Sequence, residues 1–190
     1  MVENLEGMPY QQNNPHCWTI LTPSGESSCF RPAPDSSLTD EAAETGRIAI
    51  GCERFQKAQD LSAYFAPPAR RLVVLPENRD KRDLKTIRNL NCGALLVHPN
   101  SGGTASAVFM ALTHVIGRDR NATVVLDPLE HYVPMDESVV NAVNHAVDIV
   151  ERIPKKAILL AGDRPTDDPN CLWIQPGQKY RGSLSQNLWT

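Results

Sequence analysis

Four loops carry residue types that can do chemistry. The first is His98-Pro99-Asn100-Ser101-Gly102-Gly103-Thr104-Ala105-Ser106-Ala107, which leaves one apolar run and opens another. Two glycines let a backbone approach a ligand closely, and a helix start offers unpaired N–H groups with partial positive charge. Nucleobases and phosphates both suit such a place. The plainer alternative is a tight turn with Ser101 or Thr104 capping the helix. The second loop is Leu126-Asp127-Pro128-Leu129-Glu130-His131. A carboxylate here could hold Mg²⁺, a hard cation that prefers oxygen ligands and phosphate partners. Taken alone, the motif also fits a solvated loop with ordinary turn acids. The third runs Ala161-Gly162-Asp163-Arg164-Pro165-Thr166-Asp167-Asp168-Pro169, followed by Trp173-Ile174-Gln175-Pro176-Gly177, and the fourth runs Thr22 to Pro32. Each of these two, by itself, reads only as a loop.

The elements that must position these loops follow from apolar spacing. Short apolar runs at Cys17–Leu21, Leu72–Leu75, Ala94–Val97, Thr123–Leu126, Ala157–Leu160 and Cys171–Ile174 predict strands, five of them closed by a nearby proline. Of these, Leu72–Leu75, Ala94–Val97, Thr123–Leu126 and Ala157–Leu160 are expected to be central. Phe55, Ala58, Leu61 and Phe65 recur at helical steps and predict a helix ending before Pro67-Pro68. Leu84, Ile87 and Leu90 mark a second helix. Ala105, Val108, Phe109, Leu112, Val115 and Ile116 mark an amphipathic one over Ser101–Ile116, and Val139, Val143, Ala146 and Val150 another over Glu137–Arg152. Strands that are continuous apolar runs, alternating with helices, imply a mainly parallel sheet covered on both faces. In such sheets ligands sit at the carboxyl ends of the strands, where the strand order reverses.

Composition narrows the class. The chain has 190 residues, 41% hydrophobic and 22% charged, with a formal net charge of −3. That is an ordinary globular balance for one domain, without the basic excess of a protein that reads nucleic-acid backbones. No apolar stretch reaches the roughly 20 residues that span a bilayer. Residues 1–16 lack a basic and an apolar signal region, so they are expected to be a loose arm rather than a leader. The expected domain covers 17–177, and 178–190 a polar tail. The 15 prolines exceed average usage and fall mostly outside the apolar runs, which predicts long loops. Five scattered cysteines, never spaced as C-x-x-C, suit reduced thiols in a cytoplasmic protein.

Taken in order, the four loops resemble one family, the sugar-phosphate nucleotidyltransferases, and among them the mannose-1-phosphate guanylyltransferases. The resemblance runs from about Trp18 to Gly177. The family's Gly-rich phosphate signature falls on Ser24 to Pro32. Its P-N-R-G-T-A-P-A run is similar to Pro99 through Ala107, with Gly103-Thr104-Ala105 retained. Its P-S-D-H is similar to Pro128-Leu129-Glu130-His131. Its later L-G-x-x-P-T and P-G stretches are similar to Ala161-Gly162 through Pro165-Thr166 and to Pro176-Gly177. The resemblance implies a Rossmann-like, nucleotide-diphospho-sugar transferase-like α/β fold. It implies GTP and a sugar 1-phosphate such as mannose 1-phosphate as ligands, with neither nucleic acid nor membrane as partner. It further implies nucleotide binding by Gly25, Gly103, Thr104 and Ala105, and Mg²⁺ held by Glu130.

The departures from the family carry their own expectation. Only Gly25 and Pro32 keep their identity in the signature, and the phosphate-facing arginine is Cys29. No P-K-Q-like run follows it, and the metal aspartate is Glu130. The family's catalytic domain extends further, so a domain short at its carboxyl end is expected, without the second metal carboxylate. Losing one preorganised donor in such sites costs about 3–4 kcal/mol. Arg31 is the candidate substitute, but it stands two residues from the lost arginine, about 6–7 Å along an extended chain. The expected function is therefore nucleotidyl transfer by descent with turnover weak or lost. The alternative is a nucleotide-binding or protein-interaction module without catalysis.

Overall fold

Four apolar runs pair as parallel strands in the computed structural model, which describes residues 14–22, 55–77, 92–99, 103–128, 137–153, 156–161 and 174–179. They are β1 (Cys17–Leu21), β2 (Arg71–Pro76), β3 (Ala94–His98) and β4 (Thr123–Asp127). Their order in the sheet is β3-β2-β1-β4, and every pairing is parallel. Residues 55–63 are helical (α1), followed by a short 3-10 turn at Pro68–Arg70. Two longer helices follow, α2 (Gly103–Ile116) and α3 (Glu137–Arg152). The chain is thus an α/β protein. None of the helices described is long and apolar enough to cross a membrane.

Strand β1 and strand β2 are buried along their whole length, as strands covered on both faces must be. One face carries Trp18, Ile20, Leu72 and Val74 against Ala107, Ala111 and Val115 of α2. The other carries Leu21, Val73 and Leu75 against Phe55 and Ala58 of α1. Further along that face, Cys17 meets Leu61, Phe65 and the α3 valines Val140, Val143 and Val147. All four residues that predict α1 are buried.

Three expectations change. First, α2 does not bury the stripe that spacing suggests. Ala105, Phe109 and Ile116 are exposed, and the buried line is Ala107, Ala111 and Val115. This helix is apolar on most sides, so the pattern does not choose a face. Size does: alanines four residues apart let the helix axis settle close to the large side chains of Trp18 and Ile20. In α3 the shift is smaller; Val143 is buried as expected, joined by Val140, Val147 and Ile149 rather than by Val139, Ala146 and Val150.

Second, the central strands are β1 and β2, while β3 and β4 are the outer strands of the sheet described. Third, Ala157–Leu160 is irregular and outside the sheet, with Leu159 and Leu160 exposed. Crossover handedness disfavours its addition outside β4. The β1–α1–β2 connection moves one way across the sheet with its helix on one face. The β3–α2–β4 connection moves the opposite way with its helix on the opposite face, which preserves the hand. Parallel crossovers are right-handed in about 98% of cases. Because α3 lies on the face of α1, a parallel strand added outside β4 would need the opposite hand. The second expected helix (Leu84, Ile87, Leu90) lies outside the described residues. So do Cys171 to Trp173 of the last expected strand; Ile174 is irregular and exposed.

At the amino ends of the strands, Asp119 ties the turn after α2 to the start of β1. Its carboxylate accepts from the Trp18 indole N–H at 3.2 Å and from the Asn121 amide at 3.0 Å, and lies 2.9 Å from His16 Nδ1. The Thr123 amide donates to the His16 carbonyl at 2.9 Å. Nearby, the Asn14 side-chain amide donates to Glu151 at the end of α3. Burial alone would raise the Asp119 pKa, but the hydrogen bonds from His16, Trp18 and Asn121 outweigh it and hold the carboxyl below its usual range.

Two outcomes follow. A Cβ on Gly93 would lie 2.5 Å from the Ala69 carbonyl oxygen, whereas one on Gly117 would lie 3.4 Å from its nearest neighbour. Gly93→Ala should therefore cost about 1–3 kcal/mol in urea unfolding, and Gly117→Ala less than about 0.5 kcal/mol. Equal effects would contradict the close approach of β3 to the 3-10 turn. Because the folded pKa of Asp119 is depressed, its stabilisation is present above the unfolded value of 3.8 and is lost as pH falls through the folded one. Wild type should lose more stability than Asp119→Asn between about pH 5 and pH 2; parallel curves would remove the Asp119 tie.

Candidate functional site

The strand order reverses beside β1: β2 and β3 are laid down on one side of it and β4 on the other. The carboxyl ends of β1 and β4 therefore flank a switch point, where open α/β sheets bind ligands. Leu21 and Asp127 are register partners there. The Thr22 amide donates to the Asp127 carbonyl at 2.9 Å, so the ladder continues one residue past β1. Asp127 brings a half-buried carboxyl group to this rim.

Helix α2 begins at the same rim, because it follows β3 and returns the chain to the amino end of β4. Gly103, Thr104 and Ala105 form its first turn, and all three are exposed. No acidic residue occupies that turn, so nothing there offsets the positive end of the helix dipole. Gly103 has φ +65°, a left-handed conformation, and its carbonyl accepts from Ser106 Oγ at 2.9 Å. A Cβ placed on it would meet nothing within 4 Å. Backbone conformation, not crowding within the protein, is what asks for glycine at this position.

Of the residues expected to bind ligand, Gly103, Thr104 and Ala105 stand together at this rim. Gly25, Arg31 and Glu130 lie outside the described residues, as does the loop from Gly162 to Asn170. Two further rim residues open the expected loops, where sequence does not single them out. Thr22 is 1% exposed, and its hydroxyl has no hydrogen-bond partner. His98 closes β3, 5% exposed, with Nδ1 at 2.8 Å from the Pro99 carbonyl. A carbonyl only accepts, so Nδ1 carries the proton and Nε2 is left as an acceptor.

Among the described residues, no group of three His, Cys, Asp or Glu side chains could hold a metal ion. Mg²⁺ characteristically takes one or two carboxylates and completes its shell with water and ligand phosphates. Asp127 is a carboxylate of this rim that could serve as one such donor, from the α1 side of the sheet, where Leu21 and Val125 also point. A thiol nucleophile is not offered at Cys17: burial pushes it up to about 11. No family model matches the chain, and no curated protein or solved structure matches it.

The left-handed Gly103 has a measurable consequence. Gly103→Val should destabilise the fold by about 1–2 kcal/mol in thermal melts, and Gly103→Asn by less, because asparagine tolerates that region. A valine variant as stable as wild type would contradict the assigned backbone.

Proposed function

We propose that this chain is a Rossmann-like nucleotide-binding domain of the sugar-phosphate nucleotidyltransferase type, with turnover weak or lost. The nucleotide lies across the carboxyl ends of β1 and β4, with α2 starting beside it. The observation that carries this reading is the β3-β2-β1-β4 order, with Gly103-Thr104-Ala105 at the carboxyl rim of that sheet. These are the same three residues that the resemblance assigns to nucleotide. A helix start without acids favours phosphate.

In the reaction implied by the resemblance, a phosphate oxygen of a sugar 1-phosphate attacks the α-phosphorus of GTP. A new P–O bond forms, the α–β P–O bond breaks, and pyrophosphate leaves. Bound Mg²⁺ would supply positive charge to the phosphate oxygens, and Asp127 would hold it from this chain, with Glu130 the neighbouring carboxylate in sequence. The α2 amides would orient the nucleotide. Cys29 stands where the family places an arginine, so charge developing on the phosphates loses a fixed cation. Binding without efficient turnover is the result.

Calorimetric titration with GTP and Mg²⁺ should show saturable binding. A pyrophosphate assay with mannose 1-phosphate should stay at the uncatalysed background. Absence of binding to any nucleoside triphosphate would overturn the nucleotide reading. Steady pyrophosphate release, abolished by Asp127→Ala or Glu130→Ala, would instead make the chain a working enzyme.

A further inference from the structure

Two polar side chains with unused hydrogen-bonding capacity share one face of the sheet at its carboxyl rim. Trp18 and Ile20 pack on the α2 side, so alternation along the continued ladder puts Thr22 on that side as well. Ala94 and Leu96 also pack there, which puts His98 on the same side. This is the face on which α2 lies, at the end where α2 begins. Leu21 pairs with Val73 and His98 with Pro76, so Thr22 is level with Val74, two residues short of His98. With two strand spacings between them, the two backbones are about 12 Å apart. A bare phosphate does not bridge that distance; a nucleoside phosphate does.

The two groups are also complementary in kind. The Thr22 hydroxyl is sealed from water and has no partner within the protein. A buried hydroxyl left unpaired is costly; Thr19 in the middle of β1 carries one too, and what sets Thr22 apart is its place at the carboxyl rim, where a ligand group can supply the partner. The His98 ring is held by its Nδ1 contact to the Pro99 carbonyl, and its Nε2 has no partner among the described residues. In the neutral ring it is an acceptor held in place by that contact. On the same face and at the same end, the exposed first turn of α2 offers amide donors.

We propose that Thr22 and His98 are ligand-contacting residues that hold a nucleoside phosphate at its two ends across the start of α2. The Thr22 hydroxyl donates to a ligand oxygen, and His98 Nε2 accepts from a ligand hydroxyl or amino group. The assignment rests on the nucleotide reading above and names side chains that the resemblance does not. It predicts that affinity depends on both residues and that inorganic phosphate alone does not need them.

The test is GTP affinity, with melting temperature measured alongside. Thr22→Val keeps the shape and removes the hydroxyl; Thr22→Ser keeps the hydroxyl. His98→Asn keeps a donor for the Pro99 carbonyl and removes the Nε2 acceptor. Thr22→Val should melt no lower than wild type yet bind GTP roughly three- to tenfold more weakly. Thr22→Ser should bind within about twofold of wild type, and His98→Asn should lose a similar three- to tenfold. Inorganic phosphate should bind all four proteins alike. If both Thr22→Val and His98→Asn bind GTP as wild type does, this inference fails while the nucleotide reading stands. If wild type binds no GTP, the nucleotide reading fails and takes this inference with it. Should Thr22→Val fold poorly, the His98→Asn result alone decides.

Discussion

The structure depends on β1 being paired on both edges and covered on both faces. It is the shortest route between the two halves of the sheet, and each of its five residues is buried. Its pairing with β2 continues the sheet one way and its pairing with β4 continues it the other. If β1 slipped by one residue, Trp18 and Ile20 would exchange faces with Cys17 and Leu21, and both helix layers would lose their footing. The Asp119 contacts at the amino end and the Thr22–Asp127 ladder bond at the carboxyl end pin that register from both sides. The same strand thus sets the core and places the switch point.

Helix placement translates this into a site. Because α2 crosses from β3 to β4 on the face opposite α1, its start is delivered to the carboxyl rim and its end to the amino rim. Chemistry-bearing residues gather at the first: Thr22, His98 and the Gly103 turn on the α2 side, and Asp127, in line with Leu21 and Val125, on the α1 side. The amino rim instead holds the Asp119 cluster, whose bonds are satisfied within the protein and whose role is to hold the chain.

Local sequence carries some of this and not the rest. The apolar runs of β1 and β2 are legible because full burial in a parallel sheet demands them; those of the outer strands β3 and β4 are legible as apolar runs although only partly buried. The α1 face is legible because Phe55, Ala58, Leu61 and Phe65 stand among polar neighbours. The α2 face is not, since a helix apolar on most sides is oriented by side-chain volume against its partner. Ala157–Leu160 is as apolar as the strands yet lies outside the sheet; crossover hand, which disfavours its addition outside β4, is not encoded in local composition. At the site, glycine at position 103 signals an unusual backbone, and the structure supplies the φ value that requires it. Thr22 looks like any strand-end threonine until packing seals its hydroxyl without a partner. His98 looks like a turn residue until Pro99 fixes its ring.

The central claim is that a nucleotide occupies the carboxyl rim on the α2 side. Hydrogen–deuterium exchange with and without GTP and Mg²⁺ tests it most directly, because it reports both rims in one experiment. Protection is expected in peptides covering Thr22, His98 through Ser106, and Asp127. Peptides covering Asn14 to Trp18 and Asp119 to Thr123 should exchange at the same rate in both conditions. Protection confined to the amino-rim peptides, or unchanged exchange at both rims with saturating nucleotide, would contradict the account.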